Sequence, residues 1–176
     1  MADQICKDIS RFSESEIYLF KEGTLFRAYD HLGAHVMSRD GVKGVYFAVW
    51  APNAERVSVV GDFNGWDSNR HVLTPRWDSS GIWEGFIPAV RPGALYKFYI
   101  ISKGNHQHFQ KKDPYAFGSE NPPATASVVA DLSYAWQDEA WMQSRQAKNS
   151  LQAPMSIYEL HLGSWMRNVE ENRWLT

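Results

Sequence analysis

The chain has 176 residues, 44% of them hydrophobic and 14% aromatic, enough for one ordinary domain with a packed core and some appendages. Its 18 basic and 20 acidic residues leave a formal net charge of −2, which favours neither a nucleic-acid footprint nor an anionic membrane surface as partner. A single cysteine, Cys6, excludes an internal disulfide, and no window approaches the ~18 apolar residues of a membrane-crossing helix.

The first eleven residues carry Asp3 and Asp8 and no apolar run, unlike a secretory signal, so a cytoplasmic setting is expected. Ser13 to Phe20 is predicted to be a short helix. Ser13 is its cap, Glu16 its capping-box partner and Gly23 its stop. A second helical piece is expected within Leu25 to Leu32, where Phe26, Tyr29 and Leu32 recur every third residue. Such an arm, residues 1–32, is too short to be stable alone and must lie against something larger.

The larger body is predicted over residues 33–131. Gly33 to Met37 begins a strand, Asp40-Gly41 is a hairpin turn, and Gly44 to Trp50 returns. Alternation puts Val45, Phe47 and Val49 on one face and Tyr46, Ala48 and Trp50 on the other. Pro52 ends that strand. Arg56 to Val60, Ile82 to Ile87, Ala94 to Ile101, His106 to Lys111 and Ala126 to Val129 follow, separated by Asn64-Gly65, Asp78 to Gly81, Pro88 to Gly93 and other turn clusters. Short strands at this spacing argue an all-β chain built as an immunoglobulin-like β-sandwich.

The character changes after Tyr134. Gln137 to Lys148 has helix formers and no turn residues, so residues 132–153 read as a helix and linker. Pro154 opens a new segment, 154–176, in which Met155 to Leu162 is strand-like. Twenty-three residues cannot bury a core, so this segment is expected to be the start of a further domain.

The eight tryptophans draw attention. Trp66 sits in Gly61-Asp62-Phe63-Asn64-Gly65-Trp66-Asp67, at a loop tip. A pyranose ring has an apolar C–H face, and a rigid indole sheds water against it at little entropic cost. Burying a large apolar side chain fully is worth roughly 1.5–3 kcal/mol, and covering one face less. The competing reading is that Phe63 and Trp66 both anchor the turn. Lys97 lies on a strand opposite Tyr96 and Phe98, where its ammonium either meets sugar hydroxyls or is merely solvated. The Asn64 amide could donate to and accept from a hydroxyl, or fill a turn position that needs positive φ. Trp50, Trp77 and Trp83 read more simply as core or support. The six histidines show no metal-ligand spacing, and no nucleophile elbow, phosphate loop or tuned carboxylate pair is evident, so neither a metal, a cofactor nor a catalytic residue is assigned.

Several blocks together carry a family likeness. Tyr46-Phe47-Ala48-Val49-Trp50-Ala51-Pro52-Asn53-Ala54, Val57 to Trp66, Gly81 to Pro88, Leu95-Tyr96-Lys97-Phe98 and Lys112-Asp113-Pro114-Tyr115-Ala116 resemble family 48 carbohydrate-binding modules. Leu32-Gly33-Ala34-His35 and the block Ala153 to Trp165 resemble bacterial glycogen branching enzymes, the latter their first barrel strand. The resemblance implies the front part of a retaining glycosyltransferase of the α-amylase superfamily. Such enzymes cut α-1,4-glucan and transfer the piece to a 6-hydroxyl through a covalent glycosyl-enzyme, without a cofactor. Their carboxylates lie on later strands of a (β/α)8 barrel, so no catalytic residue is expected in this chain.

By this resemblance, such modules also occur in the β subunit of AMP-activated protein kinase, where a tryptophan and a lysine at positions matching Trp66 and Lys97 contact glucan. Where that relative has a second aromatic platform, this sequence has His108 and Phe109. The implied partners are α-1,4-glucan and the barrel of the longer protein, with no nucleic acid and no membrane. Two alternatives stay open: a free-standing glycogen-binding scaffold, and the front module of a debranching or trehalose-forming relative.

Overall fold

The computed structural model describes residues 5–174, with the side chain of Leu162 excepted. Parts of two expected segments, residues 1–4 of the arm and 175–176 at the other end, lie outside the described residues. The chain divides into two compact units, Met1–Leu132 and Ser133–Thr176.

In the first unit the arm opens with helix α1, Glu14–Lys21, capped as the sequence predicts. The Ser13 hydroxyl accepts from the Glu16 backbone N–H, and Glu16 accepts from the Ser13 N–H at 2.8 Å. A one-turn 3-10 helix, Ala28–Asp30, is all that forms of the second expected helix. The strands are β1 (Gly33–Arg39), β2 (Val42–Trp50), β3 (Ala54–Gly61), β4 (Thr74–Pro75), β5 (Ile82–Pro88), β6 (Leu95–Ser102), β7 (His108–Lys111), β8 (Gly118–Ser119) and β9 (Ser127–Val128). Asp40 and Gly41 both take positive φ, as a tight hairpin between β1 and β2 demands.

One sheet has the order β1-β2-β5-β4; the other runs β3-β6-β9-β8, with β7 also paired to β6, and all pairs are antiparallel. Between them, Val45, Phe47 and Val49 of β2 meet Val57 and Val59 of β3, Trp83 and Ile87 of β5, and Tyr96 and Phe98 of β6. The outer face of the first sheet is buried as well. Tyr46, Ala48, Ile82 and Phe86 pack under Phe12, Ile17, Ala28 and Leu32 of the arm. The unit is therefore three layers: arm, sheet, sheet.

Beneath the arm lies a buried polar network. The Tyr46 hydroxyl donates to Glu84 at 2.6 Å, and Ser10 donates to the same carboxylate oxygen at 2.9 Å. Arg76 reaches the other Glu84 oxygen at 2.8 Å and Asp78 at 2.7 Å. Burial, together with the charge of Glu84, pushes the Tyr46 hydroxyl far above the ordinary phenol range. Sequence alternation places only one of Trp83 and Glu84 outside. Both are in fact buried, Trp83 between the sheets and Glu84 under the arm.

The second unit contains helix α2, Glu139–Lys148, which buries none of its residues, and a small ladder of β10 (Arg167–Asn168) with β11 (Arg173–Trp174). The strand expected over Met155 to Leu162 does not form. Residues 155–161 are irregular, and a 3-10 turn follows at Leu162–Ser164. A strand needs a neighbour's ladder, and among the described residues of this unit only β10 and β11 supply one to each other.

Candidate functional site

The loop between β3 and β4 is built from the inside outward. At the end of β3, a Cβ on Gly61 would collide with the Leu95 carbonyl and the Phe63 ring, so no larger residue fits. The chain then makes one 3-10 turn, Asp62–Asn64, and passes through Gly65 at φ 65°. Phe63 points in, stacked on Phe47 and close to His71. Asp62 accepts the Leu95 N–H at 3.2 Å, tying the loop to the start of β6.

Trp66 follows at φ 61°, a left-handed conformation that costs a bulky residue about 1–2 kcal/mol. Its N–H donates to the Gly61 carbonyl at 2.9 Å. The residue is 37% exposed, whereas Asn64 is buried and Phe63 partly so. Of the two aromatic residues in this turn, then, Phe63 is the anchor and Trp66 presents surface. Strain of this kind is tolerated where the surrounding structure holds it, and the holding is done by Asn64.

Asn64 departs from the expected role. It is buried, and its amide is spent inside the protein. Its oxygen accepts the Gly61 N–H at 2.9 Å; its nitrogen donates to the Val59 carbonyl and to His71 Nδ1, both at 2.9 Å. A sugar hydroxyl has no access to it here. Asn64 shapes the loop, and the positive φ it was expected to fill belongs to Gly65 and Trp66 instead.

Lys97 stands on the outer face of β6, opposite in direction to the core residues Tyr96 and Phe98. Its ammonium donates to the Thr125 hydroxyl at 2.8 Å. In the β3–β6 ladder Lys97 faces Val60, and Tyr96 faces Gly61, whose carbonyl holds Trp66. The fold thus brings Trp66 and Lys97 to the same end of one sheet. Thr125 was not foreseen, since a lone threonine after Pro122-Pro123 carries no signal of its own. Farther along the same outer face, Tyr99 faces Gln110 and meets His108 Nδ1 at 2.5 Å. Phe109 faces Ile100, with the Lys111 ammonium 5.3 Å from its ring.

The buried carboxylates are occupied structurally. Asp113 accepts from the Tyr96 hydroxyl at 2.5 Å and from the Tyr115 N–H at 2.8 Å, and burial pushes its carboxyl above the usual range. Among the described residues, no group of three or more His, Cys, Asp and Glu is placed to hold a metal.

A second concave surface lies at the edge of the arm. Phe20, Lys21, Trp50, Ser79, Ser80 and Tyr115 line a cleft of about 610 Å³. Trp50, read from sequence as core or support, is 56% exposed. Its indole N–H donates to the Ser80 carbonyl at 3.0 Å, and Phe20 meets it edge-on. Trp50 is the last residue of β2, where the arm's cover runs out. The break at Ala51-Pro52 is the sequence signal that could have flagged it.

Residues 31–116 match the family model described as carbohydrate-binding module 48 (isoamylase N-terminal domain). The chain is 50% identical to the 1,4-alpha-glucan branching enzyme GlgB of Synechococcus sp. (strain JA-2-3B'a(2-13)) over 93% of its own length and 21% of that protein. It is 54% identical to the enzyme of the same name from Rubrobacter xylanophilus, over 90% of this chain and 22% of that one. It therefore spans about a fifth of these relatives. Among solved structures, ligand-free PulA from Klebsiella pneumoniae aligns over 62% of this chain and 10% of its own, at 26% identity and a TM-score of 0.48.

Proposed function

Taking residues 31–116 as a family 48 carbohydrate-binding module, we propose that this chain holds α-1,4-glucan for a 1,4-α-glucan branching enzyme of which it is the front part. The observation that carries this reading is Trp66: an indole kept at the surface, in a strained conformation, by a loop whose other ring is anchored inward. Lys97 and Thr125, at the same end of the sheet, supply a cation and a hydroxyl for the rim of a sugar. The indole takes the C–H face of a glucosyl unit, and the polar pair takes its hydroxyls. The Trp50 cleft offers the same combination of flat ring and hydroxyl groups and is a second place of contact.

In this reading the chain does no bond chemistry. It keeps a polymer near a catalytic barrel, raising the local concentration of chain ends. In this reading the block Ala153 to Trp165, irregular here, belongs to the opening segment of that barrel, and α2 precedes it. The segment cut from an α-1,4 chain and moved to a 6-hydroxyl is handled by carboxylates on later barrel strands. A cytoplasmic setting comes with this assignment; no helix among the described residues is long and apolar enough to cross a membrane.

The test is a titration of the isotope-labelled chain with maltoheptaose, followed by backbone and indole NMR signals. The Trp66 indole and the Lys97 and Thr125 amides are expected to shift and saturate at millimolar sugar. Signals that stay fixed there would remove the binding assignment. Branch formation by this chain alone, read by iodine staining, would overturn the assignment of chemistry to another part of the protein.

A further inference from the structure

The helical arm has a face that the hydrophobic cores account for only at Ile17. Glu14, Ile17, Tyr18 and Lys21 recur at helical spacing and share one side of α1. Ile17 is buried and fastens the helix to the sheet. Tyr18 beside it is 64% exposed, and Trp77, just ahead of the turn into β5, is 85% exposed. Together with Glu14, Lys21, Arg76 and Asp78 these residues line a cleft of about 320 Å³, at the lower end of the size range of small-ligand sites.

The polar floor of this cleft is fixed in advance. The Lys21 ammonium donates to the Asp78 carbonyl. The Arg76 guanidinium is held between Asp78 and Glu84 at 2.7 and 2.8 Å, nine-tenths buried. Asp78 also accepts the Ser80 N–H at 3.0 Å, which sets the turn beyond Trp77. Two large rings at one opening, over a rigid floor carrying both signs of charge, suit a ligand with flat apolar faces and a hydroxyl rim. A glucosyl unit has that form.

We infer that Tyr18 and Trp77 form a further glucan subsite, on the arm side of the four-stranded sheet and separate from Trp66 and Lys97 on the other sheet. The inference rests on the glucan-binding reading above. It adds that the helical arm takes part in binding as well as in folding. A polymer engaging both sheets gains avidity that a short oligosaccharide does not.

The experiment uses the 176-residue chain and its Trp66→Ala, Trp77→Ala and Tyr18→Ala variants, titrated with maltoheptaose and, as a control, with glycerol at equal mass. In Trp66→Ala, the Trp77 indole and the Tyr18 and Lys21 amides are expected to shift and saturate still. In Trp77→Ala, those amide shifts are expected to weaken at least tenfold while the Trp66 response stays. Trp77 is so exposed that its replacement leaves the fold intact, and an unchanged Trp66 response confirms it. If Trp66 responds and the Tyr18–Trp77 signals do not, the further subsite is refuted and the glucan reading stands. If neither responds, both fail. Equal shifts with glycerol would also overturn the subsite.

Discussion

The amide of Asn64 donates a 2.9 Å hydrogen bond to Nδ1 of His71, across the base of the loop that carries Trp66. The amide cannot turn over, because its oxygen takes the Gly61 N–H and its nitrogen gives to the Val59 carbonyl. The imidazole is therefore in the tautomer with its proton on Nε2. Replacing Asn64 by Ala strands the Gly61 N–H and the Val59 carbonyl in a buried place. Each such group costs about 1–3 kcal/mol, so the variant is expected to lose at least 2 kcal/mol in urea unfolding. A midpoint unchanged from the parent would contradict the clamp.

Trp66→Ala and Lys97→Ala separate the two parts of the proposed glucan contact. One covered indole face is worth a fraction of the ~1.5–3 kcal/mol of full burial, so Trp66→Ala is expected to weaken maltoheptaose binding about tenfold. Lys97→Ala removes a charged donor and is expected to cost a comparable factor. Calorimetric affinities equal to the parent's in both variants would show that the sugar binds elsewhere.

Asp113 and Asp78 respond to pH in opposite senses. Burial raises the Asp113 carboxyl, against the bonds from Tyr96 and Tyr115. Its stabilising contribution is thus complete below its unfolded pKa, about 4, and is lost as pH rises through its folded value. For Asp78, burial raises the carboxyl too, but the bonds from Ser80 and Arg76 outweigh it and hold the group low. Its contribution is present above about pH 4 and is lost as pH falls through the depressed value. Relative to the parent, Asp113→Asn is therefore expected to gain in Tm as pH rises from about 4, and Asp78→Asn to gain as pH falls below it. Melting curves between about pH 2 and 8 check both signs, and parallel curves would refute the assignment.

Arg76 neutralises two carboxylates under the arm. Arg76→Ala leaves both with an uncompensated charge in a nearly dry site, a change that costs about 3–5 kcal/mol when a buried pair is broken. Amides of residues 9–21 are expected to lose protection in hydrogen exchange before those of β2 and β5. Loss of protection in all of these together would mean that the arm and sheet open as one unit.

Much of the fold is legible because local chemistry and tertiary packing agree. Ser13 and Glu16 form their capping box, Asp40-Gly41 turns the first hairpin, and the alternation of Val45, Phe47 and Val49 against Tyr46 and Ala48 names two faces that are both used. Alternation says which residues share a face and not what covers it. That is why Trp50 and Trp77 were read as core or support and are exposed, while Glu84 is buried. Asn64 was misread for a related reason: its partner His71 lies seven residues on, and only the folded loop brings them together. Met155 to Leu162 has the composition of a strand, but composition supplies no neighbour to pair with.

The arm's cover over Tyr46, Ala48, Ile82 and Phe86 bears on how the molecule can be cut. A truncation placed at residue 31, where the family match begins, would strip away Phe12, Ile17 and Ala28 and leave an apolar sheet face turned to water. Such a shortened protein would self-associate through that surface. The recognisable module is thus smaller than the packed unit that the arm and the two sheets form together.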